Sequence, residues 1–209
     1  MGQIVLEHIN KSYRDKKIFE DFNLDIDQGE FIGIKGESGA GKSTLLNIIG
    51  LLEECEGNVI IEGKCMDSRK RKEVQKLLRD KMGYLFQNFA LIDDWSVYEN
   101  LKIVLDRNEK KKSRPLILQE LEKVGLVDAL DKKIFQLSGG EQQRVAVVRL
   151  ILHKCDVILA DEPTGSLDQE NARMIMNLLK ELNKQGKTII IVSHDKEVMD
   201  DCSRVISLA

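Results

Sequence analysis

Residues 30–52 read EFIGIKGESGAGKSTLLNIIGLL, and the fold turns on how this stretch is parsed. Its opening, EFIGIKG, is a run of small and apolar residues suited to a strand, and its end, KSTLLNIIGLL, has the apolar spacing of a helix packed on a sheet. Between them, residues 36–44 fit the pattern G-x-x-x-x-G-K-[ST]. The glycines let backbone N–H groups curl round phosphate oxygens, with the positive end of the following helix behind them. Lys42 adds a point charge for the β- and γ-phosphates, and the Ser43 hydroxyl is a ligand for Mg²⁺. With glycine near 7% of residues, a chance match in a chain of this length has odds of about one in a hundred. Gly36, Glu37, Ser38, Gly39, Ala40, Gly41, Lys42, Ser43 and Thr44 are therefore the candidate nucleotide ligands.

Further along, DVILADEP (residues 156–163) is an apolar strand ending in two acids. Asp161 at the strand end can reach a Mg²⁺ held by Ser43, and Glu162 can orient or deprotonate an attacking water. Acids in this position otherwise cap the next helix; a phosphate loop in the same chain decides for chemistry. His194 follows the apolar run TIIIVS at another strand end, where it can hydrogen-bond a γ-phosphate. Gln87, in YLFQNF, marks the change from strand to helical patterning, where its amide can touch metal or water. Between the two acidic and histidine-bearing strands, NARMIMNLLKELNKQG carries apolar residues at 175, 178, 179 and 182, and Gly186 suits the residue after a helix C-terminus. Strand–helix–strand at this spacing implies a parallel α/β sheet. QIVLEHI, FNLDI and NVIIEG supply earlier β segments. From about residue 88 to 136 the pattern is helical instead, in SVYENLKIVL and PLILQELEKVGLVDAL, with EKKKSR as an exposed charged connector.

The 209 residues carry 32 basic and 35 acidic side chains, a net charge of −3, which argues against nucleic-acid binding through a broadly basic surface. No apolar run approaches the ~18 residues that span a bilayer. The N-terminus has neither the basic nor the long apolar region of a secretory signal, and Leu6 breaks a myristoylation motif after Gly2. Cys55, Cys65, Cys155 and Cys202 are widely spaced, which favours reduced thiols over a disulfide or zinc framework.

LSGGEQQR (residues 137–144) resists a purely local reading. Ser138 suffices to cap a helix, and neither Gly139 nor Gly140 has an evident purpose within one molecule. Ser138, Gly139 and Gly140 together form an anion site at a helix N-terminus, and Val145, Val148 and Leu152 can anchor that helix in a core.

The ordered set resembles the ATP-binding cassette (ABC) ATPase family over essentially the whole chain. Residues 36–44 look like Walker A, Gln87 like the Q-loop, LSGGEQQR like the signature, and VILADE like Walker B. GSLD (residues 165–168) looks like the D-loop, His194 like the switch histidine, and Tyr13 like the aromatic that stacks on adenine. The resemblance implies an α/β fold: a P-loop NTPase (RecA-like) core with an N-terminal antiparallel β subdomain and an inserted α-helical subdomain. Residues 1–87 and 157–209 would form the core with its β subdomain, and residues 88–156 the helical subdomain, all within one domain. It also implies a head-to-tail homodimer around two ATP molecules with Mg²⁺, in which Ser138, Gly139 and Gly140 cover the nucleotide of the other copy. Lys42, Glu162, His194 and Gln87 would be catalytic, and Ser43, Gln87 and Asp161 would hold the metal.

YLFQNFALIDDWSVYENL and ADEPTGSLD are similar to the branch with lipoprotein-release, macrolide-export and cell-division cassettes, and to cassettes assigned to bacteriocin export. The implied role is an ATPase subunit, peripheral on the cytoplasmic face of the membrane, driving a separate integral permease. Val147, Val148 and Leu150 depart from the smaller residues usual after the signature. The alternatives are a cell-division type of mechanotransmission and a soluble cassette acting on DNA or ribosomes. The last fits poorly with a single cassette and a net charge of −3, and a P-loop kinase has no use for the signature.

Overall fold

The computed structural model describes residues 2–14, 16–165 and 167–208. Strands β1 (Ile4–Tyr13) and β2 (Lys16–Ile26) form an antiparallel pair, and β3 (Phe31–Gly36) leads through the glycine-rich turn into α1 (Lys42–Ile49). β4 (Glu56–Ile61) and β5 (Lys64–Met66) return to β1, giving an antiparallel sheet in the order β2-β1-β4-β5. Then follow α2 (Arg71–Asp80), β6 (Met82–Leu85), α3 (Val97–Lys102), α4 (Ser113–Glu122) and α5 (Gly139–His153). The chain closes with β7 (Val157–Asp161), α6 (Gln169–Lys184), β8 (Thr188–Val192), α7 (Lys196–Asp200) and β9 (Arg204–Leu208).

The second sheet, β6-β7-β8-β3-β9, pairs in parallel throughout. Strands covered on both faces need continuous apolar sequence rather than alternation. TIIIV of β8 is buried at every position, and VILA of β7 likewise. Because all five strands run the same way, the segments after β3, β6, β7 and β8 emerge at one edge, where open α/β sheets build their sites.

α1 packs between this sheet and the antiparallel one, with Leu45, Leu46, Ile48 and Ile49 fully buried. α5 serves two cores. Val145, Val148 and Leu152 pack with Val97, Leu101, Ile117 and Leu121 of the helical layer, while Ala146, Val147 and Leu150 pack with Ile158 and Ile191 of the sheet. At ~1.5–3 kcal/mol per fully buried aliphatic side chain, either face alone anchors the helix. The bulk of Leu150 is matched across the gap. A Cβ on Gly83 of β6 would overlap Leu150 Cδ1 and stand 2.6 Å from Cys155 Sγ.

The helical region is more broken than its sequence pattern suggests. SVYENLKIVL is helical only to Lys102, and PLILQELEKVGLVDAL stops at Glu122. Gly125 there adopts φ +67°, and a single 3₁₀ turn, Val127–Ala129, follows. The charged EKKKSR segment is exposed at Lys110, Lys111, Lys112 and Arg114, and forms a 3₁₀ turn (Glu109–Lys112) running directly into α4. α6 matches its expected apolar face, with Ile175, Leu179 and Leu182 buried and Gly186 in the left-handed region at φ +89°. Ser166 of GSLD lies outside the described residues. Among the described residues, no helix is long and apolar enough to cross a membrane.

Candidate active site

The turn after β3 is shaped by two left-handed glycines, Gly39 at φ +81° and Gly41 at φ +90°. Lys42 Nζ donates to the carbonyls of Gly36 and Glu37, both at 2.9 Å, and Ala40 N–H donates to Glu37 O at 3.2 Å. Lys16 Nζ reaches Gly39 O at 3.1 Å from outside the loop. Gly41 caps α1 without any side-chain hydrogen bond, so no side-chain cap competes for the positive end of the helix. The ammonium of Lys42 has three protons and two carbonyl partners, which leaves one for an anion in the loop.

Tyr13, Ser38, Gly39, Gly41, Lys42, Ser43, Thr44, Gln87, Asp161 and Glu162 all line one cavity of about 530 Å³. Tyr13 is 44% exposed at its rim. Its hydroxyl donates to Glu53, and the ammonium of Lys11 sits 4.9 Å from the ring centroid while pairing with Glu53 at 3.0 Å. Nothing in the local sequence pattern singles out Glu53 and Lys11, 42 residues apart, as the holders of this ring.

Ser43 Oγ donates to Asp161 Oδ1 at 3.2 Å, closing the floor of the cavity. Burial raises the Asp161 carboxyl above its ordinary value, and the Ser43 hydrogen bond opposes that rise. Glu162 stands in the left-handed region at φ +46°, a conformation uncommon outside glycine. Its backbone N–H donates to Val192 O at 2.9 Å, which ties the end of β7 to the end of β8. The turn swings Glu162 away from Asp161, and its carboxylate splits. Oε1 accepts from His194 Nδ1 at 3.0 Å, while Oε2 is buried with no hydrogen-bond partner among the described residues.

Buried polar atoms are nearly always satisfied, so an orphaned oxygen on a carboxylate that lines a polar cavity is an acceptor in want of a donor such as water. Glu162 raises the pKa of His194, chiefly by the hydrogen bond and then by charge. With Nδ1 donating to a carboxylate, Nε2 is left free, and it is a second donor whenever the ring is protonated, the form that Glu162 favours.

Ser138, Gly139 and Gly140 do not join this cavity. Ser138 caps α5 in a reciprocal box: its hydroxyl accepts from Glu141 N–H at 3.3 Å, and the Glu141 carboxylate accepts from Ser138 N–H at 2.7 Å and Ser138 Oγ at 2.9 Å. Glu141 is absent from the set read from the sequence, although S-x-x-E ahead of an apolar helix is itself a capping signal. The two glycines also part company. A Cβ on Gly139 would meet nothing within 4 Å, but one on Gly140 would stand 3.1 Å from Asn171 Nδ2 of the same chain. Gly140 is thus closely packed on a side chain of its own molecule. Gly139 alone faces open space.

A phosphate loop, an acidic strand end and a histidine strand end at one edge of a parallel sheet define a P-loop NTPase fold. The chain belongs to the ABC transporter family, whose sequence profile matches residues 19–165. It is 41% identical over 197 residues to the macrolide export ATP-binding/permease protein MacB of Shewanella sp. (strain ANA-3), covering 91% of this chain and 30% of that protein. It is 39% identical over 208 residues to the lipoprotein-releasing system ATP-binding protein LolD of Aquifex aeolicus (strain VF5), covering 97% of this chain and 92% of that one. The chain thus spans about a third of the length of the macrolide-export relatives it matches, and nearly all of the lipoprotein-releasing one. Among solved structures, it is similar to the dimeric, post-hydrolysis ATP-binding cassette MJ0796 bound to ADP and Pi, with a TM-score of 0.87 and 38% identity. That likeness covers 98% of this chain and 94% of the other.

Proposed function

We propose that this chain is the ATP-binding and ATP-hydrolysing subunit of an ABC transporter, dimerising head to tail around two ATP molecules to drive a separate membrane permease. The observation that carries it is the Glu162 carboxylate, split between His194 and an unpartnered buried oxygen beside the Lys42 loop. The phosphates occupy the loop of residues 36–44, with Lys42 against the β/γ oxygens, and Tyr13 stacks on the base. Glu162 Oε2 accepts a proton of the attacking water, which aligns it on the γ-phosphorus, and His194 Nε2–H donates to a γ-phosphate oxygen. Cleavage of the terminal P–O bond gives ADP and phosphate.

Mg²⁺ fits the donor set: a hydroxyl, a half-buried carboxylate and an amide, from Ser43, Asp161 and Gln87, are hard oxygen ligands too few to cage an ion without phosphate oxygens. When bound there it neutralises charge on the phosphates. Ser138, Gly139 and Gly140 lie off this cavity, and Gly139 is open to an approaching partner, which supports their use on the nucleotide of the other copy. The helical subdomain is assigned to residues 88–156, with Gln87 at its entrance; the rest of the chain forms the nucleotide-binding core and β subdomain. The relatives' names support a macrolide or lipoprotein cargo; export of a peptide or antimicrobial compound, and a place at the cytoplasmic face of the membrane, are part of the same proposal.

Phosphate release by the purified chain tests this reading. Wild type releases phosphate with ATP and Mg²⁺, Lys42→Ala fails to bind ATP, and Glu162→Gln binds ATP but hydrolyses it at least ~100-fold more slowly. Wild-type turnover rates in Glu162→Gln would remove the assignment.

A further inference from the structure

The turn of α5 that carries Ser138 and Gly140 is fastened to the backbone beside Glu162 of its own chain. Gln143, one turn further along, is 1% exposed, and its Nε2 donates to Pro163 O at 2.7 Å. Pro163 directly follows Glu162, whose left-handed backbone is pinned to Val192 O. A second connection runs through α6. Arg144 Nη1 donates to Asn171 Oδ1, while Asn171 Nδ2 donates to Asp168 Oδ2 at 2.6 Å and its N–H to Asp168 Oδ1 at 2.9 Å. Gly140 rests against the same Asn171 amide. Arg144 Nε is buried with no hydrogen-bond partner among the described residues, so the bond to Asn171 anchors the guanidinium. The signature turn is thus held at two points, Pro163 and Asp168, that flank the segment immediately after Glu162.

We infer that Gln143 and Asn171 are positioning residues that couple the two ATP sites of a dimer through each chain. This rests on the dimeric reading above. In that dimer the N-terminal turn of α5 serves the partner's nucleotide, while Glu162 serves its own. A shift of the Glu162–Pro163 backbone on loss of the γ-phosphate pulls the Pro163 carbonyl against Gln143 and so moves the turn that faces the other site. A buried amide bonded to a carbonyl transmits such a shift because breaking it strands the carbonyl without a partner. Asn171, being half-exposed, can be replaced without opening the core.

The test compares Asn171→Ala and Asn171→Asp in the Glu162→Gln background. Nucleotide affinity of the monomer, read with a fluorescent ATP analogue, stays within about twofold of the parent, because Asn171 is not among the residues lining the nucleotide cavity. The dimer dissociation constant with ATP, read by sedimentation, rises about tenfold or more in Asn171→Ala. Asn171→Asp keeps the acceptor for Arg144 but loses the donor to Asp168 Oδ2 and sets a second carboxylate against it, so it does not rescue dimerisation. In the hydrolysing parent, Asn171→Ala also lowers the Hill coefficient for ATP toward one. Unchanged dimerisation and cooperativity in Asn171→Ala overturn the coupling and leave the dimeric reading intact. Equal losses in monomer affinity and dimerisation overturn it in favour of a general structural role. A Glu162→Gln chain that binds ATP and stays monomeric overturns the dimeric reading and this inference with it.

Discussion

Gly41→Ala separates the two physical reasons for glycine in the phosphate loop. Gly39 and Gly41 share a left-handed backbone, which costs an L-residue about 1–2 kcal/mol. Their surroundings differ. A Cβ on Gly39 would come no nearer than 3.4 Å, to the flexible end of Lys16. On Gly41 it would overlap Ile18 Cγ2 and stand 3.1 Å from the Phe19 ring. Overpacking of that kind adds about 1–3 kcal/mol. Gly39→Ala should therefore lose about 1–2 kcal/mol and Gly41→Ala about 2–5, a fall in Tm of roughly 2–8 °C and 4–20 °C for a domain of this size. The two ranges meet, so the decisive measurement is a double-mutant cycle with Ile18→Ala, followed by urea unfolding of the nucleotide-free protein. The cycle should return a coupling of ~1–3 kcal/mol for Gly41→Ala and near zero for Gly39→Ala. Equal coupling at the two positions, or none at Gly41, would show that contact between Ile18 and the loop does not set its shape.

Two further outcomes follow from the same geometry. His194 gains a proton-stabilising partner, so the pairing is fully present below the ordinary imidazole range and is lost as pH rises through the raised value; ring-nitrogen NMR should show its titration moving down in Glu162→Gln, and an unmoved titration would mean the contact is not made in solution. Glu141→Ala removes the reciprocal half of the α5 cap and should destabilise the chain by ~0.5–2 kcal/mol in thermal melts. Bonds from Ser138 hold the Glu141 carboxyl below its ordinary value, so its ionised-state contribution is present above the usual carboxylate range and fades as pH falls through the lowered value, where wild type and Glu141→Gln should converge.

Strong, local signals made much of the fold legible. The glycine pattern of residues 36–44 fixed a strand–turn–helix, and the fully apolar runs VILA and TIIIV announced central parallel strands. What stayed hidden is weakly patterned or long-range. α2 places Val74, Leu77 and Leu78 at helical spacing on the core, but in a ten-residue segment with six charged side chains, and β9 is a five-residue edge strand with exposed or half-buried side chains, so neither stands out as a long apolar run. Convergence on one cavity was legible for Lys42, Ser43, Asp161 and Glu162 because each ends or follows a strand of one parallel sheet. The props behind them were not: Glu53 under Tyr13, and Asn171 under Gly140, are brought in by tertiary packing across 40 and 31 residues. The left-handed backbone of Glu162 likewise has no sequence marker, since glutamate seldom adopts it.

The central claim is that each ATP is enclosed by the phosphate loop of one chain and the signature turn of another, and thiol bridging tests it most directly. Cys65 is exposed and Cys55 and Cys202 are half-buried, so all three would be replaced by serine, while Cys155 is fully buried, with its thiol pushed up to about 11. Chains in the Glu162→Gln background would carry either Ser38→Cys or Gly139→Cys and be mixed with a short bifunctional maleimide. Bridging of the Ser38→Cys chain to the Gly139→Cys chain, only when ATP is present, is the predicted result. Bridges joining two Gly139→Cys chains instead, or none between unlike chains that still dimerise with ATP, would contradict it.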